Sequence, residues 1–228
     1  MNNMDIHTSV VRLSTPIADE EIPHLRGAII HIAENAPLFH NHVSDGYRYS
    51  YPLIQYKKIG NEVVIVGVGE GVEALDGIFS VRSHAVRLGK RFTLLKVAQI
   101  GKAVTAVQLT DDASIVYKIR KYLPFNQENY AQYCKMDSIV DQYQFIEKCL
   151  VGNILSFAKG MGLFFGSEVK VKLMSVDRTE LCMVKNVRMQ GFDLTFKTNV
   201  LLPNLIGLGK SVSLGHGTIA MAHSPATK

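Results

Sequence analysis

Cysteine is scarce in this 228-residue chain. Cys134, Cys149 and Cys182 form an odd set with no C-x-x-C pair, so they read as free, mostly buried thiols in a reducing cytoplasm. Long apolar runs are also missing, and none approaches the roughly 18 residues that span a bilayer. The opening MNNMDIHTSVV has no basic region leading into an apolar stretch, so no secretory signal is expected. What is present is a folding composition, 47% apolar and 20% charged. That is enough to bury a core in one large domain or in two smaller ones.

No strong excess of one charge appears either: 25 basic residues face 20 acidic ones, for a net charge of +5. The excess is uneven. Up to Thr110 there are 11 basic and 10 acidic residues; beyond it there are 14 and 10. A mildly basic second half suits contact with phosphates, and it suits an ordinary solvated surface equally well.

Hydrophobic periodicity orders the first 110 residues as β-α-β-β-α-β. Ile6 to Leu13 reads as a strand, and Ala18 to Glu34 as a helix whose Leu25, Ala28, Ile29 and Ile32 share one face. Pro37 ends that stretch, and a polar loop runs from His40 to Arg48. Tyr49–Ile59 and Glu62–Val68 read as strands joined at Gly60-Asn61 in the manner of a hairpin. Glu70–His84 has helical spacing, and Arg91–Ala98 and Thr105–Leu109 read as strands. This is the order of a ferredoxin-like domain. The second half predicts a strand at Ile115–Leu123 and a long helix over Ser138–Lys159. Three strands over Val169–Val176, Leu181–Met189 and Phe192–Val200, and a closing strand at Thr218–Ala222, complete the pattern. The expected boundary lies near Asp111-Asp112, giving domains 1–110 and 111–228.

The segment Ile206 to Thr218 carries glycines at 207, 209, 215 and 217, as two Gly-x-Gly pairs five residues apart. Glycine accepts positive φ and lets backbone approach a ligand. Successive amides can then cradle phosphate oxygens, with Lys210, Ser211 and Ser213 adding a cation and two hydroxyls. A P-loop is excluded, because its leading glycine belongs where Asn204 stands. Val66-Gly67-Val68-Gly69-Glu70-Gly71 resembles a dinucleotide turn, but its third glycine is misplaced and Arg87 to Arg91 occupy the place of the ribose-binding acid. It reads as a tight turn.

Gly207-x-Gly209 with Gly215-x-Gly217 resembles the glycine-rich loop of the repeat-associated RNA-binding superfamily, in particular the CRISPR repeat-processing endoribonucleases. Far upstream, Pro37-Leu-Phe-His-Asn-His42 and Tyr47-Arg-Tyr-Ser-Tyr-Pro-Leu-Ile-Gln-Tyr-Lys57 are similar to the segment after the first helix in one branch of that family. Two motifs in the right order extend the resemblance over essentially the whole chain. It implies an α+β fold of two tandem ferredoxin-like domains that bind CRISPR repeat RNA through the glycine loop and the face between the domains. It allows a homodimer and other CRISPR effector subunits as further partners.

RNA cleavage without a metal needs a base for the ribose 2′-OH, an acid for the departing 5′-oxygen, and a donor or cation for the phosphorane charge. Histidine suits both proton roles because its ordinary pKa of about 6.5 lies near working pH. His40 and His42 are the expected acid/base pair, sharing one side of an extended segment. The resemblance implies the same, since the family's catalytic histidine lies at the end of the first helix or just after it. Tyr47 or Tyr49 and Lys57 are the expected helpers, and no cofactor is required. Gly207, Gly209, Lys210, Ser211, Ser213, Gly215, His216 and Gly217 are the expected RNA-binding residues.

Blander readings stand beside these. An H-x-H pair can bind zinc, but no cysteine or third histidine stands at ligand spacing. His24 and His31 share a helix and suit a core or cap; Tyr51 and Tyr56 suit strand packing. Arg82, Arg87, Lys90 and Arg91, and the group Lys118, Arg120 and Lys121, suit a phosphate track or a solvated face. A non-catalytic RNA-binding subunit of the same superfamily would need the glycine loop and the basic surface, but not paired histidines.

Overall fold

A computed structural model describes residues 4–34, 36–39, 42–43, 46–47, 51–184 and 187–222. The chain divides into two compact units. The first gathers Asp5–Thr105 together with Ser213–Gly215; the second holds Ala106–Val212 and the chain from His216 on.

The first unit opens with β1 (Met4–Leu13) and α1 (Ile22–Ile32). Pro occupies the first turn of α1, where its missing N–H leaves no bond unmade, and Ile22, Leu25 and Ile29 bury one face. Two short strands follow, β2 (His42–Val43) and β3 (Gly46–Tyr47), paired only with each other. Then come β4 (Ile54–Ile59), β5 (Glu62–Val68), α2 (Gly71–Phe79), β6 (Ser83–Leu88) and β7 (Arg91–Val107). The main sheet runs β4-β5-β1-β7-β6. Its first four members keep the ferredoxin order, and β6 is an addition at the edge. β5 is buried along all but its first residue, as an inner strand of Val and Ile must be. Val11, Leu25, Ile29, Tyr56, Ile65, Leu75 and Phe79 are part of the core, and Leu214 packs against it.

The second unit contains β8 (Ile115–Tyr122), α3 (Gln127–Tyr133), α4 (Ile139–Gly160), β9 (Val171–Val184), β10 (Val187–Thr198) and β11 (Thr218–Met221). Sheet order is β11-β8-β10-β9, again the ferredoxin order. Ser138 caps α4 through the Asp141 amide, and Gly162 at φ 74° lies just beyond its C-terminus. Ile146, Leu150, Ile154 and Phe157 line the buried face of α4, while Tyr117, Ile119, Phe192, Leu194 and Phe196 are buried on the sheet.

Several elements depart from the expected ones. The helix expected to reach His84 ends at Phe79, and residues 83–88 form β6 instead. Val86 and Leu88 bury alternate positions there, which is strand periodicity. The two strands expected between Arg91 and Leu109 are one. The three expected between Val169 and Val200 are two long ones, because the middle segment, Leu181–Met189, is shared between the end of β9 and the start of β10. Helix α3 had no counterpart in the periodicity. The cysteines are free, but Cys134 is exposed and the other two are half-buried. No helix among the described residues is long and apolar enough to cross a membrane.

Candidate nucleic-acid interface

Between β10 and β11, where a ferredoxin-like fold places its second crossover helix, the second unit carries the glycine-rich segment instead. Ile206–Leu208 runs antiparallel to Gly217–Ile219: Leu208 N–H donates to the Gly217 carbonyl and Ile219 N–H to that of Ile206, both at 2.9 Å. Two further amides tie the segment to the end of β8, Gly217 N–H to Lys121 O and Lys210 N–H to Leu123 O, both at 3.0 Å. This crossing leaves no room for side chains. A Cβ at Gly217 collides with the Leu208 carbonyl, and one at Gly209 meets Leu123 O and the Tyr122 ring at 2.8 Å. Gly209, Gly215 and Gly217 have φ of 94°, 88° and 66°, open to glycine at little cost.

Strain gathers at the same place. Lys121, Leu205 and Ser211 have φ of 49°, 65° and 55°, in the left-handed region that side chains disfavour. The Asp193 carboxylate accepts from the Lys121 amide at 2.8 Å and pins that turn. Non-glycine residues held this way cost energy and cluster where function demands a fixed backbone. Lys210 stands exposed on this scaffold, while Ser211, Ser213 and His216 are half-buried. The His216 ring donates from Nδ1 to Lys121 O at 3.3 Å. On β8 itself, Lys118 and Arg120 are exposed on the side of the strand opposite the buried Tyr117 and Ile119.

Ser213–Gly215 belongs to the first unit, where Gly215 meets β4. A Cβ at Gly215 lies 2.9 Å from Tyr56 O and 3.2 Å from the Lys57 Cα. Lys57 is only 1% exposed. Burial pushes its ammonium down from the ordinary 10.5 to about 7, because the charged form loses its hydration. Gln55 lies two residues earlier on the same face of β4, also buried, and donates from Nε2 to Tyr51 Oη at 2.9 Å. Tyr56 points the other way, into the core. The signal for Gln55 in the sequence is the alternation that places it on the same face of β4 as Lys57.

His42 stands directly opposite Tyr47 in the β2–β3 ladder, so the backbone brings together two of the expected catalytic residues. His40 and Tyr49 lie outside the described residues. Other candidates have structural partners. Arg91 grips Glu21 through two nitrogens at 3.0 and 3.1 Å, and Arg87 lies over the Phe92 ring. His84 donates to Ile78 O at 2.9 Å and meets Phe79 edge-on. The Gly67–Gly71 segment is a tight turn, where a Cβ at Gly67 meets Gly71 O at 2.6 Å. Among the described residues no group of three His, Cys, Asp or Glu side chains could hold a metal ion.

Two ferredoxin-order sheets, the second closed by a glycine-rich crossover, define a tandem ferredoxin-like protein. Family models agree: the Cas6b N-terminal domain matches residues 4–105 and the Cas6b C-terminal domain matches residues 109–222. The chain belongs to the Cas6b family. A solved Cas6b structure is 26% identical, with a TM-score of 0.85 over 96% of this chain and 100% of that one. A CRISPR RNA processing endoribonuclease Cas6b has 24% identity and a TM-score of 0.72 over the same shares. An uncharacterized protein of Methanocaldococcus jannaschii is 32% identical over 141 residues, covering 61% of this chain and 89% of the relative.

Proposed function

We propose that this protein is a metal-independent endoribonuclease that cuts CRISPR repeat transcripts into guide RNAs. Residues 1–110 carry the acid/base groups, and residues 111–228 grip the RNA. One of His40 and His42 takes the proton from the ribose 2′-OH, whose oxygen bonds to the adjacent phosphorus. The P–O5′ bond breaks as the other histidine protonates the departing oxygen. The products are a 2′,3′-cyclic phosphate and a 5′-hydroxyl. Tyr47 or Tyr49 orients the phosphate, and Lys57 supplies positive charge as the phosphorane forms. Because its ammonium is pushed down to about 7, Lys57 changes charge within the working range.

The observation that carries this reading is the strained glycine crossover, with Lys210 exposed upon it, in a chain of the Cas6b family. A repeat transcript labelled at one end tests it on a denaturing gel. Cutting persists in EDTA and stops when the 2′-OH beside the scissile phosphate is replaced by hydrogen. Cutting of the deoxy substrate, or a strict need for a divalent ion, overturns the mechanism.

The second reading, an RNA-binding subunit without catalysis, draws on the same crossover, which needs no histidine to hold RNA. A protein that binds the transcript tightly and never cuts it decides for that reading.

A further inference from the structure

We propose that a cavity beside Lys210, between α4 and the segment after β8, is a subsite for one unstacked nucleotide of the bound RNA. The inference rests on the RNA-binding reading above and extends it to base recognition. The cavity holds about 360 Å³, within the range of small-molecule sites. It lies wholly in the second unit. The bond from Lys210 N–H to Leu123 O brings the glycine segment against the chain that leads into α3, so the cavity opens beside the phosphate-gripping backbone.

Its lining has the chemistry of a base pocket. Phe145 lines it with an aromatic ring that is tilted by 31° against Phe125 at 5.8 Å between centroids. Single-stranded RNA is recognised mainly by such stacking, with polar groups reading the exposed base edges. The Asn129 amide can both donate and accept towards such an edge. Two other asparagines are committed to the walls: Asn126 accepts from the Asn129 backbone at 2.7 Å, and Asn153 donates to Tyr122 Oη at 2.7 Å. Charge comes from Lys148 and Lys210, both exposed, one for each side of a phosphodiester. None of the lining residues among the described residues is acidic, and burial keeps the Cys149 thiol neutral by pushing it up to about 11.

Gly152 adds an independent sign. It lies inside the 22-residue helix α4, where glycine is less favourable than alanine. Packing does not demand it, since a Cβ built there meets nothing within 4 Å. It lines the cavity, where a side chain much larger than a methyl group would occupy that space.

The test is an abasic scan of the repeat RNA from the genome that encodes this chain. Each nucleotide in turn loses its base but keeps its phosphate, and binding is measured for the wild-type protein, Asn129→Ala, Gly152→Ala and Gly152→Phe. The pocket predicts one position at which the wild type loses about tenfold or more in affinity. That penalty shrinks in Asn129→Ala and vanishes in Gly152→Phe, which fills the cavity while improving the helix. It persists in Gly152→Ala, which improves the helix and leaves the space open. A position-specific penalty unchanged in Gly152→Phe, or no such position at all, overturns the pocket while leaving RNA binding intact. A wild-type protein that neither binds nor cuts the RNA removes the parent reading as well. The four free ribonucleoside monophosphates at millimolar concentration form the last arm. Binding of one that Gly152→Phe abolishes, without any coupling to the RNA scan, assigns the cavity to a free nucleotide and overturns the RNA assignment.

Discussion

Both units of this chain lay their strands in the same order, yet they make the second crossover by different means. In the first, α2 covers the step from β5 towards β7, and Leu75 and Phe79 bury its inner face. In the second, the step from β10 to β11 is made by glycine-rich chain with a single 3-10 turn at Val212–Leu214. A helix satisfies its backbone within itself and needs only an apolar stripe. A helix-free crossover must find partners for each amide and carbonyl, and here it finds several in β8 and in its own returning strand. The result is a backbone held at fixed, partly strained angles. Such a backbone suits gripping a polyanion; in the function proposed above, the first unit, with its helix in place, carries the side-chain chemistry.

That division of labour can be broken deliberately. The largest effect is expected from His40→Ala with His42→Ala, which lowers the cleavage rate by about 10³-fold or more while RNA affinity stays within a few-fold. Single-turnover cutting and filter binding on the same preparations check it. Equal loss of both assigns the histidines to binding or structure.

A Cβ at Gly217 strikes the Leu208 carbonyl in a left-handed position, so Gly217→Ala destabilises the second unit by about 3 kcal/mol and weakens RNA binding. Its counterpart is Gly77→Ala in α2, where a Cβ meets nothing within 4 Å. There the change stabilises by about 0.5–1 kcal/mol. Urea titrations of both variants sharpen the contrast; similar losses in the two would erase it.

The smallest effect concerns Lys57. Its folded-state pKa lies below the unfolded one, so between about 7 and 10.5 the unfolded chain binds more protons than the native one. Stability therefore rises with pH across that window, and the burial penalty is fullest below about 7. Lys57→Met flattens the rise. Unfolding midpoints at pH 7 and pH 9.5 read this directly, and an unchanged slope refutes it. In cleavage, the protonated amine is the useful form, so activity on the Lys57 limb falls as pH rises through about 7, and Lys57→Met loses that limb.

Much of this architecture was legible in the sequence because it is local. The apolar stripe of α1, the Gly60-Asn61 hairpin and the long α4 follow from residues a few positions apart. Helix α3 was not, since it buries no residue and rests on the Asn126 cap. The site divides the same way. The spacing of the glycines was visible, but their collisions with Leu208 and Tyr122 belong to chain crossings that periodicity does not encode. Lys57 was legible as the last residue of the motif that runs from Tyr47, whereas its burial and the proximity of Gly215 depend on residues far along the chain.

That last dependence bears on how the protein is made. The first unit includes Ser213–Gly215, and Leu214 packs against its core. A ribosome releases those residues only after Ala106–Val212 has been made. The sheet of the first unit therefore leaves the exit tunnel with one piece of its packing still unmade, and it waits for Ser213–Gly215 to complete it. Completion of the first unit is thus tied to translation through Gly215, and products that stop before Ser213 are left without it.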